Sequence, residues 1–211
     1  MRKFSFLIIG FFMPVFLIAQ DAEESTSYMM WETMYITPDY SDLATFSSAM
    51  KAHNDMYHSG GAYHADVYNV VTGPNTGKML WAMGPCTFSD LDNRHGGDAH
   101  DEDWAGNVMP HIKKMHQGEY WRMDDKLSNL SPGDGPFTLF QVRYHEVNKG
   151  EGYRIKGILT KISEAVKSMD GDNPWGVFYN EFQQGYSIGR HIATVNYFKS
   201  WSELDEDVNF K

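Results

Sequence analysis

The chain has 211 residues with 18 Lys or Arg and 28 Asp or Glu, so its formal net charge at pH 7 is −10. Such an acidic chain has no electrostatic attraction for nucleic acid or for an anionic membrane surface, and neither is predicted as a partner. Cys86 is the only cysteine, so no disulfide within the chain can hold the fold together. We expect Cys86 to be buried as a small apolar residue.

The first 19 residues have the three parts of a secretory signal peptide. Arg2 and Lys3 supply a positive start, residues 4–18 are almost wholly apolar, and Ala19 offers a small residue for cleavage. This apolar run is shorter than the roughly 20 residues that cross a bilayer. The sequence therefore predicts export to the periplasm or the extracellular space, with a mature chain that makes no membrane contact after cleavage.

Periodicity beyond the signal predicts alternating strands and helices in the first half of the chain. Apolar residues three and four apart indicate helices, and short β-rich runs bounded by Gly, Pro and Asn indicate strands. The predicted elements are a strand at 31–36, a helix at 41–58, a hairpin of 62–71 with 78–83, a helix at 104–115 and a strand at 119–127.

The second half repeats this order after a turn-forming segment at 131–136. We expect a strand at 137–145, a helix at 153–169 and a hairpin of 175–183 with 190–198. Three blocks match between the halves in the same order, which indicates an internal repeat. The matches pair Val67-Tyr-Asn-Val-Val with Phe178-Tyr-Asn-Glu-Phe, Gly77-Lys-Met-Leu-Trp-Ala-Met with Gly189-Arg-His-Ile-Ala-Thr-Val, and Phe88-Ser-Asp-Leu-Asp with Trp201-Ser-Glu-Leu-Asp.

This element order and repeat resemble the dimeric α/β-barrel superfamily in its fused, two-repeat form. The helix that ends in Met50-Lys-Ala-His-Asn-Asp-Met-Tyr-His is also similar to the first helix of such domains, and the resemblance covers most of residues 30–205. It implies an α+β protein with two ferredoxin-like βαββαβ repeats, at 20–130 and 137–211, packed sheet to sheet. Members include cofactor-independent monooxygenases, haem enzymes, lactone isomerases and proteins without known activity, so the resemblance predicts a fold more than a function.

The second predicted repeat is incomplete because its last helix and strand are missing. We expect either that the natural chain continues for roughly 30 residues or that another chain covers the open sheet, which would be a form of self-association. Otherwise Phe178, Phe182 and the helical stripe around Ile162 should form an exposed apolar patch.

Alternation along the strands predicts which side chains face the space between the two sheets. The more apolar face of each strand is expected to pack on the helices. This places Ala65, Val67, Phe140, Val142, Tyr144, Phe178, Asn180 and Phe182 on the helices. It places His64, Asp66, Tyr68, Gln141, Arg143, His145, Val177, Tyr179 and Glu181 between the sheets.

Two functional hypotheses follow from this lining, beside the alternative of a salt-bridged interior without a function. In the first, a small, possibly aromatic ligand is held between the sheets without a cofactor by Asp66, Tyr68, Gln141, Tyr179 and Glu181. In the second, a monooxygenase-like or isomerase-like enzyme uses His64 or His145 as proton acceptor, while Arg143 orients an anionic oxygen. The resemblance also implies a haem-binding variant, for which His111 is the best-placed axial ligand.

The remaining histidines do not predict a metal site by their spacing. His53, His58 and His64 lie five and six residues apart, and neither interval puts two ligands on one helical face. His53 falls on the apolar stripe of its helix and is expected to be a core residue. Segment 95–103 is dense in His and Asp but is expected to be an acidic surface loop, because it lacks the spacing of a calcium loop.

Overall fold

A computed structural model describes residues 28–94, 96–130, 135–182 and 190–205. The predicted signal at 1–19 and residues 131–134 of the predicted turn segment lie outside these ranges. The elements are β1 (Met30–Pro38), α1 (Leu43–Tyr57), β2 (Ala65–Asn69), β3 (Met79–Cys86), α2 (Phe88–Leu91), α3 (Gly97–Asp103), β4 (Ile112–Met123), β5 (Leu139–His145), α4 (Gly152–Ser168), β6 (Trp175–Asn180) and β7 (Ile192–Phe198). No helix in the described ranges is long and apolar enough to cross a membrane.

All seven strands belong to one antiparallel sheet with the order β2-β3-β1-β4-β6-β7-β5. The predicted α+β class is therefore confirmed, but the two halves are joined edge to edge where β4 pairs with β6, instead of forming two separate sheets. The sheet curls until its first and last strands approach each other. The ring of Tyr68 in β2 packs against the ring of Phe140 in β5, with 4.7 Å between their centroids.

Three apolar clusters hold the curled sheet and its helices together. On the outer face of the first half, Phe46 and Met50 of α1 pack against β1 and β3. On the outer face of the second half, Leu159 of α4 packs against Val177 and Ile192. The inner face, which we call the concave face, has its own cluster: Trp31, Trp121, Met123, Phe140, Val142, Tyr144, Phe178, Ala193, Val195 and Tyr197.

The strand faces predicted for the second half are wrong. Phe140, Val142 and Tyr144 point to the concave face, so their neighbours Gln141, Arg143 and His145 lie on the outer face. The rule that the more apolar face packs on helices fails here because the apolar face of β5 packs in the concave cluster, while Gln141 and Arg143 are exposed on the outer face.

The same reversal applies to β6. Phe178 packs on the concave face, whereas Val177 and Tyr179 pack on the outer face with α4. Glu181 follows β6 and pairs with the outer-face Arg122 at 2.5 Å. Phe178 is only 6% exposed and belongs to no surface patch. The other two residues named for the predicted apolar patch, Phe182 and Ile162, are exposed.

The segment after α3 also differs from the prediction of one helix at 104–115. A π-helical turn at Trp104–Val108 and a 3-10 turn at Met109–His111 continue α3, and β4 begins at Ile112. Pro110 explains the early end, since proline cannot donate the backbone hydrogen bond that would continue a helix.

Cys86 is 3% exposed at the end of β3, which confirms its expected burial. Burial raises the pKa of the Cys86 thiol to about 11, so it remains protonated and poorly nucleophilic at neutral pH.

Candidate metal centre

The structure does not bring the predicted catalytic residues together. His64 and Asp66 are half-exposed at the β2 edge, with 3.4 Å between His64 Nε2 and Asp66 Oδ2, and the Tyr68 hydroxyl donates to the same carboxylate. His145 lies on the opposite face of the sheet, where its Nε2 is 2.9 Å from Thr194 Oγ1. Arg143 is exposed on that outer face.

The other predicted ligand residues also separate. Gln141 accepts a hydrogen bond from Asn196 on the neighbouring strand. Tyr179 lines an outer cleft of about 440 Å³ beside α4, together with Lys156 and His191. Tyr68 and Tyr179, predicted to share one ligand space, therefore lie on opposite faces of the sheet.

A different set of residues converges in the first half. One ring nitrogen from each of His53, His58 and His100 lies within 4.8 Å of the other two. His53 and His58 are 1% and 6% exposed, whereas the His100 side chain is 20% exposed. We call these three residues the histidine centre.

Three neighbouring pieces of backbone position the histidine centre. Phe46, Met50 and His53 are spaced four and three residues apart, so helix α1 turns all three into the core. His58 follows the last residue of α1 and leaves the helical conformation, with φ −130° and ψ 30°. His100 comes from α3, which packs against α1.

Gly96 allows α3 to begin this close to α1. Its φ is +90°, and a Cβ at this position would lie 2.8 Å from His100 Cβ and 2.9 Å from the Tyr57 ring. Glycine alone tolerates both this left-handed conformation and this approach.

Each histidine of the centre is oriented through its Nδ1 atom. Nδ1 of His53 lies 2.7 Å from Asp103 Oδ2, and Nδ1 of His100 lies 3.0 Å from Asp101 Oδ1. Nδ1 of His58 lies 3.0 Å from the backbone oxygen of Tyr63. Carboxylate and carbonyl oxygens only accept, so each Nδ1 carries the proton and each neutral ring keeps a lone pair on Nε2.

The lone pairs of His58 and His100 face each other, with 3.3 Å between the two Nε2 atoms. Two such acceptors repel unless a proton or a cation lies between them. Protonation of His58 is opposed because burial lowers its pKa to about 4. A tetrahedral ion about 2.05 Å from its nitrogen ligands separates them by about 3.3 Å, so the spacing of this pair suits a metal ion, and the His53 nitrogen lies within 4.8 Å of both.

Aromatic rings surround the buried part of the centre. Trp81 packs edge-on against His58, Trp104 packs against His53, and Tyr57 contacts both His53 and His100. The partly exposed side of His100 is therefore the direction from which water or a further ligand would reach an ion.

Two described histidines outside the centre bear on the haem that the sequence resemblance implies. His111, the predicted axial ligand, lies in the 3-10 turn before β4 with its Nδ1 2.6 Å from Asp42 Oδ2, so its neutral ring keeps a lone pair on Nε2. The buried His191 lines the cleft beside α4, but its Nδ1 accepts from the backbone N–H of Val147. Its Nε2 must then carry the proton and offers iron no lone pair.

No protein-family model matches the sequence, and no curated protein matches it. Solved structures do share the fold. A proposed monooxygenase from Fusobacterium nucleatum superposes with a TM-score of 0.54 at 11% identity, covering 85% of this chain and 79% of its own. A proposed monooxygenase from Lactobacillus acidophilus has a TM-score of 0.52 at 10% identity, covering 85% and 80%.

A chlorite dismutase from Candidatus Nitrospira defluvii also superposes, with a TM-score of 0.52 at 9% identity over 85% of this chain and 80% of its own. At these identities the likeness shows the fold alone. The shared fold is α+β with a large curled antiparallel sheet, which is consistent with the predicted ferredoxin-like class.

Proposed function

We propose that this protein binds one divalent transition-metal ion, with Zn²⁺ as the reference ion, through Nε2 of His53, His58 and His100. The observation that carries the proposal is the shared orientation of the three rings. Each Nδ1 is fixed by an oxygen acceptor, as is usual for metal-bound histidines, and each Nε2 is left with a lone pair.

The ligand set selects the class of ion. Three imidazoles without a thiolate suit Zn²⁺, Cu²⁺, Ni²⁺ or Fe²⁺, whereas Ca²⁺ and Mg²⁺ prefer oxygen ligands. Three protein ligands with one accessible side are typical of catalytic rather than structural zinc sites. The neutral rings would leave the ion its full charge, which lowers the pKa of a bound water.

The shared fold supports a second candidate, the oxygenase-like enzyme predicted from the sequence. The solved structures of this fold include proteins described as monooxygenases and as a chlorite dismutase. For this chain we place such a reaction at the histidine centre, because His64 and His145 lie on opposite faces of the sheet.

Thermal unfolding of the EDTA-treated protein with and without Zn²⁺ tests metal binding. At a free Zn²⁺ concentration of 100 times Kd, we expect a gain of about 2.7 kcal/mol, or roughly 5–10 °C in Tm. Ca²⁺ and Mg²⁺ serve as controls and should leave Tm unchanged. No bound metal after purification, together with no shift by Zn²⁺, Co²⁺, Ni²⁺ or Cu²⁺, would refute the proposal.

We also propose that the chain is exported and that its fold consists of two repeats. Support for two ferredoxin-like repeats, at 20–130 and 137–211, comes from connectivity: β3 lies between β1 and β2, as β7 lies between β5 and β6. Support for export comes from the signal pattern at 1–19. Mass spectrometry of the natural protein should find Gln20 as its first residue, and a protein that retains Met1 would contradict cleavage.

A further inference from the structure

A chain of polar side chains runs across the concave face, away from the histidine centre. The buried Glu119 carboxylate accepts two hydrogen bonds from the Arg190 guanidinium, one of them 2.6 Å from Nε to Oε1. Arg190 lies over the Tyr144 ring, at 3.7 Å from its centroid. The Tyr144 and Tyr35 hydroxyl oxygens are 2.9 Å apart.

The two tyrosine hydroxyls carry two protons but share one hydrogen bond, in which either oxygen can be the donor. The Arg190 guanidinium can only donate, and it already holds the Glu119 carboxylate, so neither group accepts the second proton. Among the described residues no other acceptor lies within hydrogen-bond distance of either hydroxyl. The tyrosine pair therefore keeps one unused hydroxyl donor.

The surroundings of Tyr35 are positively charged although the whole chain is acidic. Lys78 Nζ lies 5.9 Å from the Tyr35 ring centroid and donates to Asn75 Oδ1, which leaves two further N–H groups. Burial lowers the pKa of His116, and the charges of Lys78 and Lys114 lower it further. Glu119 is neutralised by Arg190 and does not offset these charges.

We propose that this end of the concave face binds the carboxylate of a small aromatic acid. The Tyr35 hydroxyl donates to a carboxylate oxygen, and Lys78 supplies the opposite charge. A hydrogen bond to a charged oxygen is roughly twice as strong as one between neutral groups, so an anion fits the unused donor better than a neutral ligand does. The aromatic ring of the acid packs against the rings of Tyr35, Tyr144 and Trp121, which surround Arg190 on this face.

Isothermal titration calorimetry with benzoate tests the inference, with benzyl alcohol as the neutral probe. We expect benzoate to bind the wild-type protein and benzyl alcohol to bind at least 10-fold more weakly. Tyr35→Phe should weaken benzoate binding by about 10- to 100-fold, because it removes only the hydroxyl that meets the charged oxygen. Lys78→Met should weaken it as well.

Tyr40→Phe is the matched control, because Tyr40 is 56% exposed and lies outside this network. It should bind benzoate as the wild type does. Titrations with and without Zn²⁺ separate this site from the histidine centre, since benzoate held by a metal ion would bind only with Zn²⁺. The inference is overturned by a lack of benzoate binding, by equal binding to Tyr35→Phe, or by binding that requires Zn²⁺.

Discussion

Replacing His100 by alanine is expected to lower the affinity for Zn²⁺ by about 100- to 1,000-fold, since three or four ligands share a binding free energy of about 10–16 kcal/mol at structural zinc sites. His100 is the best ligand to remove because its side chain is partly exposed on α3, so the metal-free fold should tolerate the change. The affinity is measured by competition with a chromogenic chelator.

Two further variants make this result specific. Asp103→Asn keeps all three ligands but weakens the acceptor of the His53 Nδ1 proton, and it should lower the affinity by about 10-fold or more. His64→Ala removes a half-exposed histidine outside the histidine centre and should leave the affinity unchanged. If His100→Ala and His64→Ala bind Zn²⁺ equally well, the ion is held elsewhere.

Replacing Glu119 by glutamine is expected to lower the free energy of unfolding by about 3 kcal/mol, or roughly 6–12 °C in Tm. The Glu119 side chain is 3% exposed and that of Arg190 is 18% exposed, so the variant leaves the guanidinium charge buried without its counter-ion. Chemical denaturation monitored by tryptophan fluorescence measures this loss.

The ion pair of Glu32 with Arg94 provides the matched control. The Arg94 side chain is 40% exposed, so water can solvate it when its partner is removed. Glu32→Gln should therefore cost less than about 1 kcal/mol. A double variant, Glu119→Leu with Arg190→Met, should recover part of the Glu119→Gln loss, because it removes both charges. Equal effects of Glu119→Gln and Glu32→Gln would contradict a buried pair.

Local periodicity predicted the order of strands and helices but not every strand face. In β2 one face is clearly more apolar, and Ala65 and Val67 pack on the α1 side as predicted. In the second half the repeat itself misleads, because the matched blocks align Val67 with Phe178. Val67 lies on the outer face and Phe178 on the concave face, so the sequence match is displaced by one residue from the structural equivalence.

The histidine centre could not be predicted from spacing within one helix. His58 lies just beyond α1, so helical periodicity does not apply to it, and His100 is 42 residues further along the chain. Only the packing of α3 on α1 brings the three rings together. The segment around His100 carried a usable signal in its density of ligand residues, but nothing in it indicated which distant histidines it would meet.

Because His58 and His100 lie far apart in the sequence, an ion bound to both would also lower the conformational entropy of the unfolded chain. An ion that joins them closes a loop of 42 residues, which contains the whole β2–β3 hairpin. By the relation used for covalent crosslinks, closing such a loop in the unfolded chain is worth about 4 kcal/mol. With Cys86 as its only cysteine, the chain would hold this hairpin by a reversible crosslink that follows the supply of metal rather than the redox state.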